Sequence, residues 1–405
     1  MGFQQGLSGL NAAARALDVI GNNVANANTV GFKGSEALFA DVYANSLAAA
    51  GGTGAGIGVS VAAIQPDFVQ GNIRTTSNPL DLAINGNGFF RIEQNGAVSF
   101  SRNGQFHLDK DGYIVNAAGA RLTGYGVDAA GTLLVANPGP LQVSAAQLQA
   151  NPTTEAGIGL NLDAGEAIIA LPFDINDPKT YNRATAITVY DSLGNSHALS
   201  TYYVKTAANT WSVYGAMDGT ALPAVLGTLN FNPDGTLNTG TTTLPFNVSA
   251  ALTNGATTPF AFTLDYGDAT QYGSPFSVDA LTQDGYAAGQ LSGYAVGADG
   301  TILGRYSNGE SRTLGQVMLA SFANPQGLQP LGGNAWAETA ASGQPLPGVP
   351  GSSHFGVLQS GAVEESNVDL TQELVDMITA QRTYQANAQT IKTQDQVLNT
   401  LVNLR

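Results

Sequence analysis

The chain has no cysteine among its 405 residues and little charge, since 11% of its residues are Asp, Glu, Lys or Arg where about 25% is usual. Without cysteine, the fold can use neither disulfides nor thiolate metal ligands. The 15 basic residues stand against 30 acidic ones, and no basic cluster offsets the net charge of −15. Nucleic acid is therefore not an expected partner, because phosphate binding requires clustered Lys and Arg.

Long apolar runs are also missing. No stretch of about 18 apolar residues occurs, so no membrane span is expected. The opening residues, Met1 to Gln5, have neither the basic segment nor the continuous apolar stretch of a cleaved signal peptide. If the protein is exported, we expect another route to carry it.

Histidine is scarce, and His107, His197 and His354 lie far apart in segments that read as strands or turns. Without a spacing motif or a cysteine, packed or solvated histidines are a better interpretation than metal ligands. The carboxylates have no distinguishing context either. We therefore predict no catalytic, cofactor-binding or metal residues, and the chain is not expected to be an enzyme.

The segment Asp109 to Gly112 resembles the opening of a calcium loop. The EF-hand pattern would then need oxygen ligands where Tyr113 and Ala120 stand. A hairpin turn explains the segment fully, so we reject the calcium interpretation.

What the chain does have is an apolar heptad stripe at each end, in segments that read as helices: residues 1 to about 28, and a last helix that starts near residues 366–369 and runs to the end. Such a stripe needs a partner helix to be buried. The N-terminal stripe misses one step at Gly21, and Gln381 and Asp395 interrupt the C-terminal one. We predict a polymerisation stripe that consists of Phe3, Leu7, Leu10, Ala14, Leu17, Val24, Leu370, Leu374, Met377, Tyr384, Ala388, Ile391, Leu398 and Val402.

Other interpretations of the stripe stay open. An apolar helical face most often packs on its own domain. The two polar interruptions could fix the register between helices, or they could mark where the stripe turns toward water. Before assembly the stripe has nothing to bury against, so we expect the terminal segments to be disordered or loosely paired in the monomer.

The middle of the chain alternates with period two and is rich in Gly, which predicts short antiparallel strands joined by tight turns. Asn-Gly and Asp-Gly pairs favour hairpins, and they occur at residues 95–96, 103–104, 111–112, 299–300 and 308–309. The predicted fold class is multidomain, with α-helical coiled-coil-like termini and mainly-β middle domains of sandwich-like or barrel-like form.

Four parts are predicted. Residues 1–30 plus 366–405 form a helical inner-core domain, and residues 31–71 plus 358–365 form an irregular connector with a flexible Ala48–Gly58 patch. Residues 72–145 plus 285–357 form a β-rich domain that ends in a turn-rich stretch around Pro345, Pro347 and Pro350. Residues 146–284 form an inserted outer β domain, in which 12 acids stand against three bases. Strands are expected in this insert at residues 186–190, 200–205, 210–214 and 260–266.

Specific strings at both ends carry a resemblance. The segment Leu7 to Lys33 (LSGLNAAARALDVIGNNVANANTVGFK) strongly resembles the N-terminal signature of bacterial flagellar axial proteins, the rod, hook and hook-associated subunits. The segment Glu373 to Arg405 is similar to their C-terminal helix. The signature positions that we single out are Gly21, Asn22, Asn23, Asn26, Asn28, Gly31, Phe32 and Lys33.

Internal stretches resemble the hook proteins within that family: NGNGFFRI (85–92), SRNGQFHLDKDG (101–112), LTGY (122–125), VYDSLGNSH (189–197) and SNVDLTQELV (366–375). The resemblance implies a subunit that polymerises into the curved hook, a flexible universal joint transmitting motor torque from rod to filament. It implies that the helices line the tube and that the β domains form outer shells. It also implies extracellular assembly, export by the flagellar type III apparatus, and contacts with rod, hook cap and hook–filament junction proteins.

Two other functions stay open at this point. A distal rod or other axial subunit would share both ends but typically lacks a large insert. A secreted β-rich adhesin or carbohydrate-binding module would need clustered aromatic residues, and Trp211 and Trp336 are far apart in the sequence.

Overall fold

The computed structural model describes residues 2–42, 56, 58–128, 131–144 and 146–403, with the side chains of residues 2 and 401–403 left aside. The chain divides into two compact units. The first unit comprises Met1–Ser144, Gly293–Gly304 and Arg312–Arg405, and the second comprises Ala145–Ser292 and Arg305–Ser311. The predicted Ala48–Gly58 patch lies almost entirely outside the described residues.

An α-helix stands at each end of the described chain: α1 spans Gly2–Ala25 and α2 spans Leu370–Asn403. Helix α1 ends earlier than the predicted residue 28, because the chain turns after Ala25 and Thr29 N–H donates to Asn26 O. Asp369 caps α2, since its Oδ1 accepts the N–H groups of Thr371 (2.8 Å) and Gln372 (3.3 Å). The predicted start of α2 near residues 366–369 is confirmed.

The remaining elements are strands, apart from a 3₁₀ turn at Pro325–Gly327. The first ten are β1 Ser35–Val42, β2 Gly58–Pro66, β3 Ile73–Thr75, β4 Leu82–Asn85, β5 Phe89–Gln94, β6 Ala97–Ser101, β7 Phe106–Leu108, β8 Ile114–Asn116, β9 Arg121–Tyr125 and β10 Gly139–Pro140. The next ten are β11 Glu155–Asp163, β12 Arg183–Tyr190, β13 Ser196–Ala207, β14 Thr210–Met217, β15 Thr220–Ala221, β16 Gly227–Asn230, β17 Phe246–Ala250, β18 Phe260–Asp265, β19 Thr270–Tyr272 and β20 Ser277–Gln283. The last nine are β21 Leu291–Val296, β22 Thr301–Tyr306, β23 Ser311–Val317, β24 Leu319–Ser321, β25 Gln329–Gly332, β26 Ala335–Ala337, β27 Leu346–Gly348, β28 Val357–Ser360 and β29 Ala362–Glu364.

The largest sheet has 13 strands, and its main path runs β21-β22-β23-β9-β5-β6-β26-β25. Four of the five predicted hairpin turns are confirmed. Asn95 and Gly96 both have positive φ between β5 and β6, and Gly112, Gly300 and Gly309 adopt φ of +81°, +81° and +89° in the other three. The mainly-β fold class with helical ends is thus confirmed.

The predicted hairpin at Asn103-Gly104 is wrong. Strand β6 pairs with β5 and β26, whereas β7 pairs with β8, so these residues connect strands that are not partners. Glycine is needed at position 104 because two backbone segments approach each other closely there, and not because the chain turns. Its carbonyl accepts the N–H of Leu82 at 2.9 Å, and a Cβ on Gly104 would collide with the Leu82 carbonyl oxygen.

Two stretches are more regular than the sequence predicts. The irregular connector of residues 31–71 contains β1 and β2, which pair antiparallel from Ser35↔Pro66 to Val42↔Gly58 with one bulge. The turn-rich stretch around Pro347 contains β27, which pairs with β24. Neither case offered an alternating pattern to read, because β1 and β2 bury no residue and β27 has only three residues.

An aromatic cluster packs in the first unit, formed by Phe89, Phe100, Phe322, Trp336 and the partly buried Phe68. Its rings meet edge to face, with centroids 4.7 Å apart for Phe100 and Phe322 and 5.2 Å for Phe68 and Phe89. Such pairs add about 0.5–1.5 kcal/mol each beyond area burial. The cluster joins β5, β6, β24 and β26 with the segment before β3.

The second unit contains two five-stranded sheets, one with the path β17-β18-β11-β19 and one with the path β12-β13-β14-β15. Its core draws apolar side chains from both, for example Leu160 and Leu264 from the first and Val189 and Trp211 from the second. Burial alternates along β12, β17 and β18, as expected for strands with one face on the core. The strands predicted at 186–190, 200–205, 210–214 and 260–266 are confirmed to within a residue at their ends or lie inside longer strands.

Candidate assembly surface

The two terminal helices run antiparallel and pack along a face of α1 made of small residues. A Cβ on Gly6 would lie 2.9 Å from Ile391 Cγ1, and one on Gly9 would lie 2.7 Å from Asn387 Oδ1. Ala12 and Ala13 are buried further along α1. Close approach of two helices requires small side chains at the contact. The small residues at positions 6, 9, 13 and 16 are the sequence signal for this contact, and the apolar stripe does not include them.

No member of the predicted stripe whose side chain is described is buried in the single chain. Helix α1 places Phe3 and Leu7 on the surface and the other four members at intermediate burial. Helix α2 leaves Leu370, Leu374, Tyr384 and Leu398 exposed, with Met377, Ala388 and Ile391 intermediate. Ile391 contacts Gly6, while the side chain of Val402 lies outside the described part.

Other apolar side chains of α2 are exposed as well. Val375, Ile378 and Val397 are 54%, 51% and 49% exposed. The interruptions Gln381 and Asp395 are also exposed. From Leu370 to Thr400, α2 buries no side chain, although it is 34 residues long. A helix so rich in exposed apolar side chains presents a surface suited to a protein partner.

Asn23 of the signature links three elements. Its Nδ2 donates to Ser35 O and to Glu373 Oε1, both at 2.8 Å, and its Oδ1 accepts Ser35 N–H at 3.0 Å. Burial raises the pKa of the Glu373 carboxyl, although the hydrogen bond from Asn23 opposes this. The side chain therefore ties α1 to the start of β1 and to the first turn of α2.

The other Asn residues of the signature shape the end of α1. The carbonyl of Asn22 accepts Asn26 N–H at 3.1 Å and Asn26 Nδ2 at 3.0 Å, while Asn28 lies exposed in the following turn. Gly21 sits in the last turns of α1 with open space where a Cβ would be. These residues end the helix and start the path toward β1.

Gly31 and Phe32 complete that path. Gly31 adopts a φ of +69°, and its N–H donates to the backbone oxygen of Glu364 at 2.7 Å. A Cβ on Gly31 would lie 2.5 Å from the backbone nitrogen of Asn103. Phe32 N–H donates to Thr29 O. Only glycine combines this φ with so close an approach of two backbones.

Lys33 ends in a buried ion pair. Its Nζ lies 2.7 Å from Glu364 Oε1, with both side chains fully buried, and it also donates to Val69 O at 2.7 Å. Gly71 N–H donates to the same Glu364 oxygen at 2.9 Å. The N-terminal signature, the segment before β3 and the strand before α2 therefore meet at one carboxylate.

Arg102 approaches the other oxygen of Glu364, with Nη1 3.4 Å from Oε2 and a second hydrogen bond of 2.9 Å to Gly86 O. Its guanidinium carbon lies 5.3 Å from the centroid of the Phe89 ring. Burial lowers the pKa of both Lys33 and Arg102, and the Glu364 carboxylate partly offsets this in each case. Two buried cations thus depend on one anion. We call Lys33, Arg102 and Glu364 the Glu364 junction.

Asn367 supports the junction from the side of α2. Its Oδ1 accepts Gly34 N–H at 2.8 Å and its Nδ2 donates to Asp67 O at 2.9 Å. The signature residues thus hold the paired helices in a fixed relation to the β-structure of the first unit. The sequence predicted these positions as a signature, but their partners in the C-terminal segment were not predicted, because the contacts span more than 300 residues.

Within the described part of the chain, no group of His, Cys, Asp and Glu side chains is arranged to hold a metal ion. Among those same residues, no helix has the length and hydropathy needed to span a membrane. Asp109 takes part in a turn, where its Oδ1 accepts the N–H groups of Asp111 and Tyr113.

Comparison with known proteins first identifies the class. Residues 3–33 match the family model described as flagella basal body rod protein, and residues 359–404 match the C-terminal model of the rod FlgEFG proteins. Residues 83–189 match the flagellar hook protein FlgE/F/G D1 domain, and residues 161–286 match the flagellar basal body protein FlaE D2 domain. The paired terminal helices and the β units thus define a flagellar axial protein.

Full-length relatives then identify the particular family. The chain is 47% identical to the flagellar hook protein FlgE of Salmonella typhimurium and 45% identical to that of Escherichia coli, in each case over 100% of both chains. The FlgE of Borreliella burgdorferi is 33% identical over 99% of this chain and 98% of its own. The chain belongs to the flagellar hook protein FlgE family.

A solved structure shares the fold. The flagellar hook protein FlgE2 of Helicobacter pylori matches with a TM-score of 0.57 and 15% identity, and the match covers 72% of this chain and 100% of that one.

Proposed function

We propose that this chain is a structural subunit that polymerises through its terminal helices into the curved flagellar hook, a flexible universal joint that carries torque from rod to filament. Hook relatives match it from end to end, including the insert that distal rod proteins typically lack. This supports a hook subunit over a rod subunit.

One observation carries the mode of assembly: helix α2 exposes its apolar side chains along most of its length in the single chain. Leu370 and Leu374 are each 45% exposed and Leu398 is 54% exposed. Full burial of an exposed leucine side chain gains roughly 1.5–3 kcal/mol, so covering the exposed half of each of these leucines would contribute about 1 kcal/mol. Packing against the helices of neighbouring copies would bury these side chains, and repeated head-to-tail contacts that do not close generate a helical tube.

The proposed joint is mechanical. Each unit has its own apolar core and stays rigid, while contacts between copies slide as the tube bends during rotation. A chain in which only 11% of all residues are charged offers many weak surface contacts of similar energy and few ion pairs that would fix one register. Deleting residues 146–284 should then change the curvature or flexibility of the hooks.

The finer details follow from the family and remain our proposals. The partners are further copies of this chain, the rod, the hook cap, the hook–filament junction proteins and the type III export apparatus. The chain reaches the flagellum outside the cell without a cleaved signal peptide, and it catalyses no reaction. The four-part division, with residues 1–30 plus 366–405 as the inner core and 146–284 as an outer domain, is likewise proposed.

Electron microscopy of negatively stained assemblies tests the proposal. Sheared fragments of native hooks serve as seeds, so that the lack of a nucleus cannot prevent growth. The full-length chain should extend the seeds as curved tubes. A chain that ends at Asp376 keeps the Glu364 junction and the first turns of α2 but should add no length.

Matched point variants locate the assembly surface. Leu374→Gln combined with Leu398→Gln should abolish growth from the seeds. Thr390→Gln changes an exposed polar residue of the same helix and should leave growth unchanged. Normal tubes from the double leucine variant would show that the stripe is not the assembly element.

A further inference from the structure

His197 in the second unit lies between two carboxylates. Its Nδ1 is 2.6 Å from Asp218 Oδ2, and its Nε2 is 3.1 Å from Asp191 Oδ2. The His197 side chain is 10% exposed and that of Asp191 is fully buried. His197 lies near the start of β13, Asp191 directly follows β12, and Asp218 directly follows β14, so the imidazole joins three strand ends.

This geometry favours one protonation state of the ring. An ionised carboxylate can only accept hydrogen bonds, so each ring nitrogen of His197 must donate. Only the imidazolium form donates from both nitrogens. A neutral ring would place a nitrogen lone pair against a carboxylate oxygen at one of the two contacts.

Both carboxylates are held by further donors. The Oδ1 atom of Asp191 accepts the N–H groups of Leu193 and Asn195, at 2.9 and 2.8 Å, and Oδ1 of Asp218 accepts Ala198 N–H at 2.8 Å. Because these bonds favour the ionised form, the carboxylates are poised to face a cation.

Neutral amide donors and an aromatic ring complete the surroundings of the imidazole and its carboxylates. Asn254 Nδ2 and Asn195 Nδ2 donate to Asp191 Oδ2, and the Phe260 ring of β18 lies 6.1 Å from the imidazole. Among the described residues, His197 is the one cation paired with Asp191 and with Asp218. The loop containing Asn254 is therefore tied to the same carboxylate as the histidine.

We propose that His197 is a proton-dependent latch of the second unit. As imidazolium, it ties the turn after β12 and the end of β14 to β13, and through Asp191 it holds the loop around Asn254. Loss of one proton breaks one of its two ties and loosens these strand ends without unfolding the core. The hook subunit thus carries a local element whose stiffness depends on pH.

The direction of the pH effect follows from the pKa shifts. Burial opposes the charge on His197, but the hydrogen bonds with Asp218 and Asp191 outweigh it and raise the pKa above 6.5. Despite burial, hydrogen bonds lower the pKa of both Asp191 and Asp218 below 3.8. The stabilisation that His197 contributes is complete below its unfolded pKa and is lost as pH rises through its folded pKa. The stabilisation that the two carboxylates contribute is present above their unfolded pKa of 3.8 and is lost as pH falls through their folded pKa values.

The first test measures the ring directly by NMR of the full-length monomer with ¹⁵N-labelled histidine, and His197→Gln assigns the signal by its loss. At pH 6.5, the ordinary pKa of an unfolded histidine, both ring nitrogens of His197 should be protonated. The signal should titrate at higher pH in the folded chain than in the same chain in urea. A midpoint at or below the one in urea would overturn the proposal.

The second test follows the stability of the second unit through Trp211, which is fully buried in its core. Trp336→Phe removes the other tryptophan, in the first unit. In this background, the urea midpoint should fall as pH is raised from 6.5. The fall should disappear in His197→Gln and shrink in Asp218→Asn.

The control variant is His107→Gln, which changes an exposed histidine of the first unit. The Trp211 unfolding curves of this variant should match those of its parent at every pH. An undiminished fall in His197→Gln would show that another group governs the pH response, and the latch would be rejected.

Discussion

Lys33 and Glu364 stand 331 positions apart in the chain, yet their charged groups lie 2.7 Å from each other with both side chains fully buried. The pair joins the end of the N-terminal signature to the strand that leads into α2. A subunit that transmits force along paired terminal helices needs those helices held firmly on its β-structure. The Glu364 junction supplies that anchor.

Replacing Glu364 by Gln should destabilise the first unit strongly. The substitution leaves Lys33 and Arg102 buried without a counter-charge, and breaking a buried pair in this way costs about 3–5 kcal/mol. Urea unfolding followed by circular dichroism measures the change. Because the second unit has a separate core, its transition should stay in place.

Glu365→Gln is the matched control. Glu365 pairs with Arg74 at 2.9 Å, but the two side chains are 42% and 58% exposed. Exposed pairs are worth less than about 1 kcal/mol. Equal losses in the two variants would show that burial of the Glu364 carboxylate does not matter.

Gly31→Ala should lower the free energy of unfolding by more than the positive φ alone explains. An L side chain in the left-handed region costs roughly 1–2 kcal/mol, and at Gly31 the added Cβ would also lie 2.5 Å from Asn103 N. Gly119→Ala has a similar φ of +78° with no atom within 4 Å. Urea unfolding should therefore show a clearly larger loss for Gly31→Ala; similar losses would mean that the contact of Gly31 with Asn103 relaxes freely.

The pairing of the helices can be tested by the same substitution at two places in α1. Gly21→Ala should stabilise α1 by up to about 1 kcal/mol, because alanine favours helices and no atom lies within 4 Å of the new Cβ. Gly6→Ala has the same intrinsic gain but pushes against Ile391 Cγ1 at 2.9 Å. Amide hydrogen exchange in α1 should slow in Gly21→Ala and should not slow in Gly6→Ala. Slowing in both would show that α2 does not pack closely at Gly6.

The sequence predicted those features of the fold that local patterns determine. Heptad spacing predicted both helices, and Asn95-Gly96 and three similar pairs predicted hairpins, because a positive φ is a property of the residues in the turn itself. The same signal failed at Asn103-Gly104, where Gly104 is needed for its contact with Leu82. Strands β1 and β2 were missed because they bury no residue, so their sequences need not alternate between apolar and polar side chains.

Local sequence patterns could not predict the contacts between distant segments. Lys33 could be recognised in a signature, but nothing near it in the sequence identifies Glu364 or Arg102 as its partners. His197 gave the same difficulty, since its two carboxylates come from different strand ends. The apolar stripe stays a prediction, because a single chain shows that its side chains are available but not what covers them.

Trypsin digestion of dilute monomer should first cut α2. Arg382 and Lys392 are exposed, and α2 buries no side chain from Leu370 to Thr400 to oppose local opening. Lys33, which is fully buried in the junction, should be cut much more slowly. Mass spectrometry of the early fragments identifies the sites.

In assembled tubes the same two sites of α2 should become protected, because neighbouring copies would cover the helix. Early cleavage after Lys33 would show that the junction opens readily in the monomer, and unchanged cleavage of α2 in tubes would place the assembly contacts elsewhere.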